Sequence, residues 1–335
     1  MSNDRTPTVL VTSGGGVTRG AIHALTSLSD RDFEVVTVSS EPAAPELHAA
    51  DVGCVTPPVS DPGWPDALAS VCERHGVDVI VPLIDERYVP TRLASLRETV
   101  QDKVEIIVGD TELIELTVDK YRMAETFADN GLAVPETHLG SAAGRLPGDV
   151  FPVVVKPRSG ESNTIGDGVA VCEDRDELDA HLSTLEAPLD EFVIQEFVSG
   201  TEYTTSVIVT KSDDLLGVVP KEAVSDRPYH RVTREAPEVV AACREVHEFL
   251  APHSVINVQQ IASPRGLLTI EINSRFSRSS CLTAAAGVNS FELLVRDRLG
   301  ERVEPIAEYE PNLHMLERTT PEFVPDGRMF SRPTR

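Results

Sequence analysis

The sequence lacks any long hydrophobic run. It is 335 residues long and 41% hydrophobic, yet no stretch approaches the roughly 20 consecutive apolar residues of a membrane span. Its first residues, Met1 to Pro7, contain no apolar signal core, so nothing in them predicts export. Positive charge is also scarce: 30 Lys plus Arg face 54 Asp plus Glu, a net charge of -24. Such a surface repels nucleic acid and anionic lipid. We therefore expect a cytoplasmic protein that binds neither nucleic acid nor a membrane.

The sequence also contains little cysteine and little lysine. The five cysteines form no C-x-x-C pair and have no histidine at zinc-binding spacing, which favours free thiols. Only five of the basic residues are lysines, and the others are arginine. An acidic chain with little lysine is typical of adaptation to high salt, so we hypothesise a halophilic protein. In such a chain each lysine that is present is a candidate for a specific role.

Two patterns divide the chain, as its length suggests at about 150 residues per domain. Residues 1–115 alternate short β-branched runs with helical spacing, which predicts an α/β domain with a parallel sheet and covering helices. A helix from near Asp119 to Asn130 then opens a β-rich region, and this region contains one further clear helix, from Glu238 to Leu250. Residues 116–310 are therefore predicted to form an α+β domain, and the proline-containing residues 311–335 an extended tail.

A glycine-rich turn, Ser13 to Gly20, follows the first predicted strand and opens a helix. Its spacing is one residue longer than G-x-G-x-x-G, and Glu41 lies slightly past the position of the expected acid. One interpretation is a dinucleotide-binding turn of an oxidoreductase. The other is a tight turn that needs glycine for positive φ and close packing, whatever binds there.

The most informative stretch runs from Val255 to Arg275. Two alternating strand patterns flank Pro264-Arg265-Gly266, which predicts a hairpin with a three-residue loop. Counted back from this loop, the cross-strand pairs are Ser263 with Leu267, Gln259 with Glu271, and Asn257 with Asn273. A carboxylate clustered with amide oxygens suits a hard cation such as Mg2+, and Arg275 beside it suits a phosphoryl group. A solvated polar face is equally compatible with this segment alone.

Two further segments carry nucleotide-binding chemistry. Lys156 ends a buried strand and is followed by a loop of small residues from Gly160 to Gly168, which could fold over phosphates. A linker between two strands, at Glu196 to Glu202, could present backbone groups and apolar side chains to an adenine. An exposed lysine and an ordinary β-turn are the alternatives.

Together these segments resemble the ATP-grasp superfamily. The matching residues, in the family's motif order, are Asp119-Lys120, Lys156-Pro157 with its glycine loop, Gln195-Glu196-Phe197-Val198, Glu202-Tyr203, Asn257-Val258-Gln259, and Glu271-Ile272-Asn273 with Arg275. The last motif, Glu271 to Ser280, is most similar to a synthetase half of the large subunit of carbamoyl phosphate synthetase. The resemblance covers about residues 5–300 and implies a Rossmann-like pre-ATP-grasp domain followed by an ATP-grasp domain.

The resemblance implies a site for ATP with Mg2+ or Mn2+. By role, its residues would be Lys120, Lys156 and Gly160 for the phosphates; Glu196, Phe197 and Val198 for adenine; Glu202 for ribose; Gln259, Glu271 and Asn273 for the metal; and Arg275, with Lys156, for transfer of the γ-phosphoryl group. Candidates for contact with an anionic substrate are Lys221, Arg231 and Arg278.

The implied activity is an ATP-dependent ligase of EC 6.3 type, which joins a small-molecule carboxylate to an amine through an acyl phosphate. Ser274 departs from the family, because a proline is usual there. A chain of this length has no room for a second synthetase half or a glutaminase, so carbamoyl phosphate synthesis from glutamine is not expected. Two alternatives stay open: a carbamoyl-phosphate-synthase-like enzyme that phosphorylates bicarbonate or carbamate, and a non-catalytic ATP-binding regulatory protein. Many relatives are dimers, so a homodimer is compatible with the sequence.

Overall fold

The N-terminal region is built on a parallel sheet. The structure, a computed structural model, describes residues 5–12, 14–84, 88–100, 103–160, 169–224, 230–318, 321 and 323–330. The strands are β1 (Thr8–Val11), β2 (Glu34–Ser39), β3 (Val52–Val55), β4 (Val79–Val81) and β5 (Glu105–Ile106), in the order β3-β2-β1-β4-β5. All their pairings are parallel. The helices of this region are α1 (Gly16–Thr26), α2 (Trp64–His75), α3 (Ala94–Val100) and α4 (Thr111–Val118). The α/β prediction is thus confirmed.

A small antiparallel sheet follows. Its elements are α5 (Lys120–Asp129), β6 (Thr137–Leu139), β7 (Val153–Pro157), β8 (Ala170–Cys172), α6 (Arg175–Leu182) and β9 (Phe192–Glu196). The strand order is β6-β9-β7-β8. Helix α5 confirms the helix predicted from Asp119 to Asn130: Asp119 caps its first turn by accepting from the Arg122 N–H, and Gly131 has a positive φ of 78° just past its end.

A large antiparallel sheet forms the rest. Its elements are β10 (Thr201–Val209), β11 (Leu215–Val219), β12 (Lys221–Ala223), β13 (Arg231–Thr233), α7 (Pro237–Leu250), β14 (Val255–Ser263), β15 (Gly266–Asn273), α8 (Ser280–Ala285), α9 (Ser290–Arg298) and β16 (His314–Met315). The order is β15-β14-β10-β12-β13-β16, with β11 also paired to β10. The α+β prediction is therefore confirmed, and within the predicted tail His314–Met315 joins the edge of this sheet.

The N-terminal region and the large sheet share a core. Phe291 and Leu294 of α9 belong to one apolar cluster with Leu25 of α1 and Val79 of β4. Asn289, at the start of α9, donates to the Ala24 carbonyl at 2.8 Å. Because of this packing, the glycine turn before α1 lies against the segment between β15 and α8.

The β14–β15 hairpin corrects one prediction and confirms two. Ser263 pairs with Gly266, whose φ is 112°, so the predicted pairing with Leu267 is wrong by one residue. A β-bulge between Gln259 and Gln260 then restores the register, and the pairs Gln259 with Glu271 and Asn257 with Asn273 are those predicted. The residue that the bulge leaves without a cross-strand partner is Ile270.

Candidate functional site

Two buried lysines meet one buried carboxylate between the small and the large sheet. Lys120, the first residue of α5, is 2% exposed, and its Nζ lies 3.7 Å from Oε1 of Glu271, which is 6% exposed. Lys156, on β7, is 7% exposed; its Nζ donates to Oε1 of Gln195 at 3.0 Å and to the Ile270 carbonyl at 3.4 Å. The bulge in β15 therefore places a carbonyl where a lysine of the other sheet reaches it.

The electrostatics of this cluster favour an anion. Burial lowers the pKa of Lys156 to about 8, the negative charge of Glu271 raises it, and the positive charge of Lys120 lowers it again. Two buried ammonium groups share one carboxylate, in a chain that is strongly acidic as a whole. Buried charge without a counter-ion is costly, so this excess of positive charge among the described residues favours a negatively charged ligand.

The start of α5 is fixed to the small sheet by an ion pair. Arg158 donates from Nε and Nη2 to both carboxylate oxygens of Asp119, at 2.9 and 2.6 Å. Burial raises the pKa of Asp119, but the hydrogen bonds and charge of Arg158 outweigh it and hold the pKa below its ordinary value. Lys120 itself donates to the Gly160 carbonyl at 3.0 Å. The rest of the loop predicted to cover phosphates, residues 161–168, lies outside the described residues.

The metal-site candidates lie on one hairpin. Gln259 and Glu271 are cross-strand partners on β14 and β15, and Asn273 follows two residues further along β15. Oδ1 of Asn273 accepts from Nη2 of Arg275 at 3.2 Å. The hairpin thus brings Gln259, Glu271 and Asn273 together on the large sheet, and Glu271 meets Lys120 in the space between the two sheets, called the cleft below. Within the described residues, no cluster of three His, Cys, Asp or Glu side chains offers another metal site.

The adenine and ribose candidates lie on the linker between β9 and β10 and at the start of β10. The linker between β9 and β10 begins at Glu196, which pairs with Arg265, and includes Phe197 (41% exposed) and the buried Val198. The Phe197 N–H donates to the Pro152 carbonyl at 3.1 Å, so that group is already used. Past the linker, Glu202 accepts from Nη2 of Arg231 at 3.1 Å.

The linker also approaches β14 closely. A side chain on Gly200 would collide with the Ala262 carbonyl, so the turn between β9 and β10 needs a glycine at this point. This approach fixes the linker against the large sheet.

The three substrate candidates occupy different surroundings. Arg231 lies beside Glu202, as just described. Lys221 on β12 is 0% exposed, and its Nζ donates to hydroxyl oxygens inside the fold. Arg278 binds the carboxylate of Glu317 with contacts of 2.7, 2.8 and 3.0 Å. Its guanidinium covers the start of α1, since a methyl group at Gly16 would lie 2.7 Å from Arg278 Cζ.

Sequence reasoning did not assign roles to two residues that support the site. Gln195 is buried, accepts from Lys156 and donates to Oγ1 of Thr137 at 2.8 Å, so it holds the lysine in place. Its place beside Glu196 in the linker motif was the available signal. Ser274, where the family has proline, shares a 2.7 Å hydrogen bond with Thr117 of α4. This bond joins the segment after β15 to α4, which spans the predicted domain boundary near residue 115.

Two family models match separate parts of the chain. A model described as "PylC-like, N-terminal domain" matches residues 9–108. A model described as "ATP-grasp in the biosynthetic pathway with Ter operon" matches residues 188–321. The first match covers the parallel sheet, and the second covers the large sheet with its hairpin.

Two curated proteins are similar over most of this chain. The 3-methyl-D-ornithine--L-lysine ligase of Methanosarcina acetivorans is 28% identical over 291 residues, which cover 82% of this chain and 69% of that protein. The carbamoyl phosphate synthase large chain of Rubrobacter xylanophilus is 25% identical over 347 residues, which cover 90% of this chain. The alignment spans only 31% of the length of that second relative.

A solved structure shows the same fold. The biotin carboxylase–beta-gamma-ATP complex from Campylobacter jejuni superposes with a TM-score of 0.71 at 14% identity, covering 92% of this chain and 74% of that one. Among the described helices, none has the length and apolar character needed to cross a bilayer.

Proposed function

Because the chain belongs to the ATP-grasp superfamily, we propose that it is an ATP-dependent carboxylate–amine ligase that works through an acyl phosphate. The observation that carries this proposal is the pair of buried lysines beside one carboxylate among the residues that the structure describes. In so acidic a protein, a buried excess of positive charge suits a polyphosphate.

The reaction follows from positioning and charge. An oxygen of the substrate carboxylate attacks the γ-phosphorus of ATP, the bond to the bridging oxygen breaks, and ADP leaves with that electron pair. The amine then attacks the acyl carbon, phosphate leaves, and the nitrogen loses a proton. Lys120 and Lys156 hold the phosphates, and Arg275 neutralises charge on the group in transfer. No protein nucleophile is needed, since the attacking carboxylate is ionised at neutral pH.

The residues at the hairpin fit a divalent metal. Gln259, Glu271 and Asn273 offer one carboxylate and two amide oxygens, the donor type that Mg2+ or Mn2+ prefers. When bound, such an ion supplies charge neutralisation and a fixed geometry for the phosphates. Lys120, whose Nζ lies 3.7 Å from Oε1 of Glu271, would help to hold that carboxylate in place for the metal.

The remaining nucleotide contacts complete the assignment. Glu196, Phe197 and Val198 would hold the adenine, with the exposed face of Phe197 available for stacking. Glu202 would accept from the ribose hydroxyls, with Arg231 steadying its carboxylate. Gly160, bound through its carbonyl by Lys120, begins the loop that would cover the phosphates.

Arg278 is the substrate contact best supported by the structure, because it already binds a carboxylate, that of Glu317. We expect Arg278→Met to raise the KM for the carboxylate substrate at least about tenfold, the cost of a lost charge-assisted pair. Glu317→Gln should lower that KM, since it removes a competing carboxylate. Glu308→Gln, at an exposed residue outside this pair, is the control. Unchanged KM values in both variants would show that Arg278 does not bind substrate.

A second function is favoured by one relative. The carbamoyl phosphate synthase chain matches 90% of this protein, so phosphorylation of bicarbonate or carbamate is the alternative. ADP release that depends on bicarbonate alone would support it. Nothing in the comparisons supports a non-catalytic ATP-binding protein. A homodimer, a cytoplasmic location and a halophilic origin stay predictions from the sequence.

The test of the proposed function is a substrate screen. ADP production from Mg-ATP is measured with small carboxylates and amines, singly and in pairs, at low and at molar salt because of the acidic composition. Amino acids come first, since a relative's name describes a ligase joining two of them. The proposal expects ADP formation that requires both a carboxylate and an amine. ADP formation with neither, or with bicarbonate alone, contradicts it.

A further inference from the structure

Lys221 is a fully buried lysine that the proposed chemistry does not use. It begins β12 and is 0% exposed. Its Nζ donates to Oγ of Ser206 at 2.6 Å and to Oγ1 of Thr283 at 3.2 Å. Among the ion pairs of the described residues, none includes Lys221. In the described part of the chain, its ammonium therefore has hydroxyl acceptors and no carboxylate partner.

Complete burial disfavours the charged form of the Lys221 side chain. Burial lowers the pKa of Lys221 to about 7; the charge of Cys281 raises it, and that of Arg231 lowers it. A methionine of similar length would fill the same space without desolvating a charge. A lysine in this position is therefore better explained by what its N–H groups hold than by packing.

The hydrogen bonds from Lys221 lead, with a fixed donor and acceptor at each step, to residues 274–279, the segment between β15 and α8 that contains Arg275. The Arg275 carbonyl can only accept, so Asn257 must offer it Nδ2, at 2.6 Å. Asn257 then presents Oδ1 to Ser206, which must donate, at 2.9 Å. Ser206 has used its own hydrogen, so its oxygen is an acceptor for Lys221. The series of hydrogen bonds thus runs from Lys221 through Ser206 and Asn257 to the backbone of Arg275.

The second contact of Lys221 reaches the far end of the same segment. Thr283 lies on α8, which follows the residues between Asn273 and Ser280, and its hydroxyl also lies 3.3 Å from Oγ of Ser206. Asn257 is in turn the cross-strand partner of Asn273. One ammonium group thus connects the strand before this segment with the helix after it.

We propose that Lys221 is a positioning residue of the ligase: through Ser206 and Asn257 it fixes the backbone of Arg275, so that the guanidinium meets the γ-phosphate. The inference rests on the proposed function, in which Arg275 binds that phosphate. It gives Lys221 a role behind the site in place of direct contact with substrate. Arg275 responds to the γ-phosphate alone, so loss of Lys221 should affect ATP and ADP differently.

The test compares the affinities of the full chain for ADP and for the non-hydrolysable analogue AMP-PNP, both with Mg2+, by calorimetry. Lys221→Met should weaken AMP-PNP binding about tenfold, as is typical of residues that orient a ligand-binding group, and leave ADP binding within about twofold. Ser206→Ala should have the same effect. The double variant should weaken AMP-PNP binding little more than either single variant, because both substitutions break the same series of hydrogen bonds. Lys211→Met, at an exposed lysine paired with Glu105, is the matched control.

The possible results distinguish a failure of the proposed function from a failure of the positioning role alone. A wild-type chain that binds neither nucleotide overturns the proposed function and this inference together. Normal nucleotide binding with an unchanged ratio of AMP-PNP to ADP affinity in Lys221→Met, or additive effects of the two substitutions, overturns the positioning role alone. If Lys221→Met does not fold, Ser206→Ala carries the comparison, since it removes a single hydroxyl from the middle of the chain.

Discussion

Replacing Glu271 with glutamine is expected to reduce ADP formation at least about a thousandfold, or about 4 kcal/mol of transition-state stabilisation. Glu271 is the only carboxylate among the three proposed metal ligands, and it is the counter-ion of Lys120 at 3.7 Å. Glutamine keeps one oxygen in the same place and removes the charge. The metal-dependent part of catalysis should therefore fail while the shape of the cleft is kept.

Nucleotide binding separates this charge effect from a loss of folding. With excess Mg2+, Glu271→Gln should bind ATP more weakly than wild type. Without divalent metal it should bind ATP as well or better, because a negative group near the phosphates has been removed. Circular dichroism must show a folded variant, since two buried lysines lose their shared carboxylate.

Glu105→Gln is the matched control for this experiment. Glu105 also pairs with a lysine, Lys211 at 2.8 Å, but that pair is solvent-exposed and joins β5 to the turn after β10. Exposed pairs contribute about 1 kcal/mol or less, so this variant should keep full turnover. ADP formation by Glu271→Gln within tenfold of wild type would contradict the assignment of the metal site.

The β14–β15 hairpin shows which features can be predicted from the sequence and which cannot. Period-two alternation placed Gln259 opposite Glu271, and the structure confirms this pair. The loop was wrong by one residue, and the bulge that compensates could not be predicted. At this bulge the Ile270 carbonyl accepts from Lys156, 114 positions away in the chain. Local patterns fix which residues share a strand face, whereas such distant contacts fix where a strand is interrupted.

The burial and the ion-pair partners of charged residues could not be predicted from the sequence either. Lys221 reads as a polar residue at a strand start, and nothing local indicates that its ammonium is enclosed by hydroxyl groups. Glu202 was assigned from its motif, but its partner Arg231 is 29 residues away. The edge strand β3 is also difficult to predict from sequence, because Val52-Gly53-Cys54-Val55 is short and carries a glycine.

Replacing Lys156 with methionine is expected to weaken ATP binding by about 2–4 kcal/mol, or roughly 30- to 1,000-fold, through loss of a charge-assisted contact in a buried site. The same change should not destabilise the nucleotide-free protein. The pKa of Lys156 is about 8 when folded, below its ordinary value of 10.5. Below pH 8 folding must therefore bury a charge, and that cost, about 3 kcal/mol, disappears in the variant. Thermal melting and calorimetric titration with Mg-ATP measure the two effects.

The pH dependence of ATP affinity gives the third readout for Lys156. Wild-type affinity should fall as the pH rises through about 8, where Lys156 loses its charge, and Lys156→Met should lack this fall. The charged groups facing Lys156 are Glu271, which raises its pKa, and Lys120, which lowers it. Lys211→Met, at the exposed pair with Glu105, should change neither stability nor affinity. ATP affinity preserved in Lys156→Met would remove this lysine from the phosphate site, whereas affinity lost together with folding would show a structural role instead.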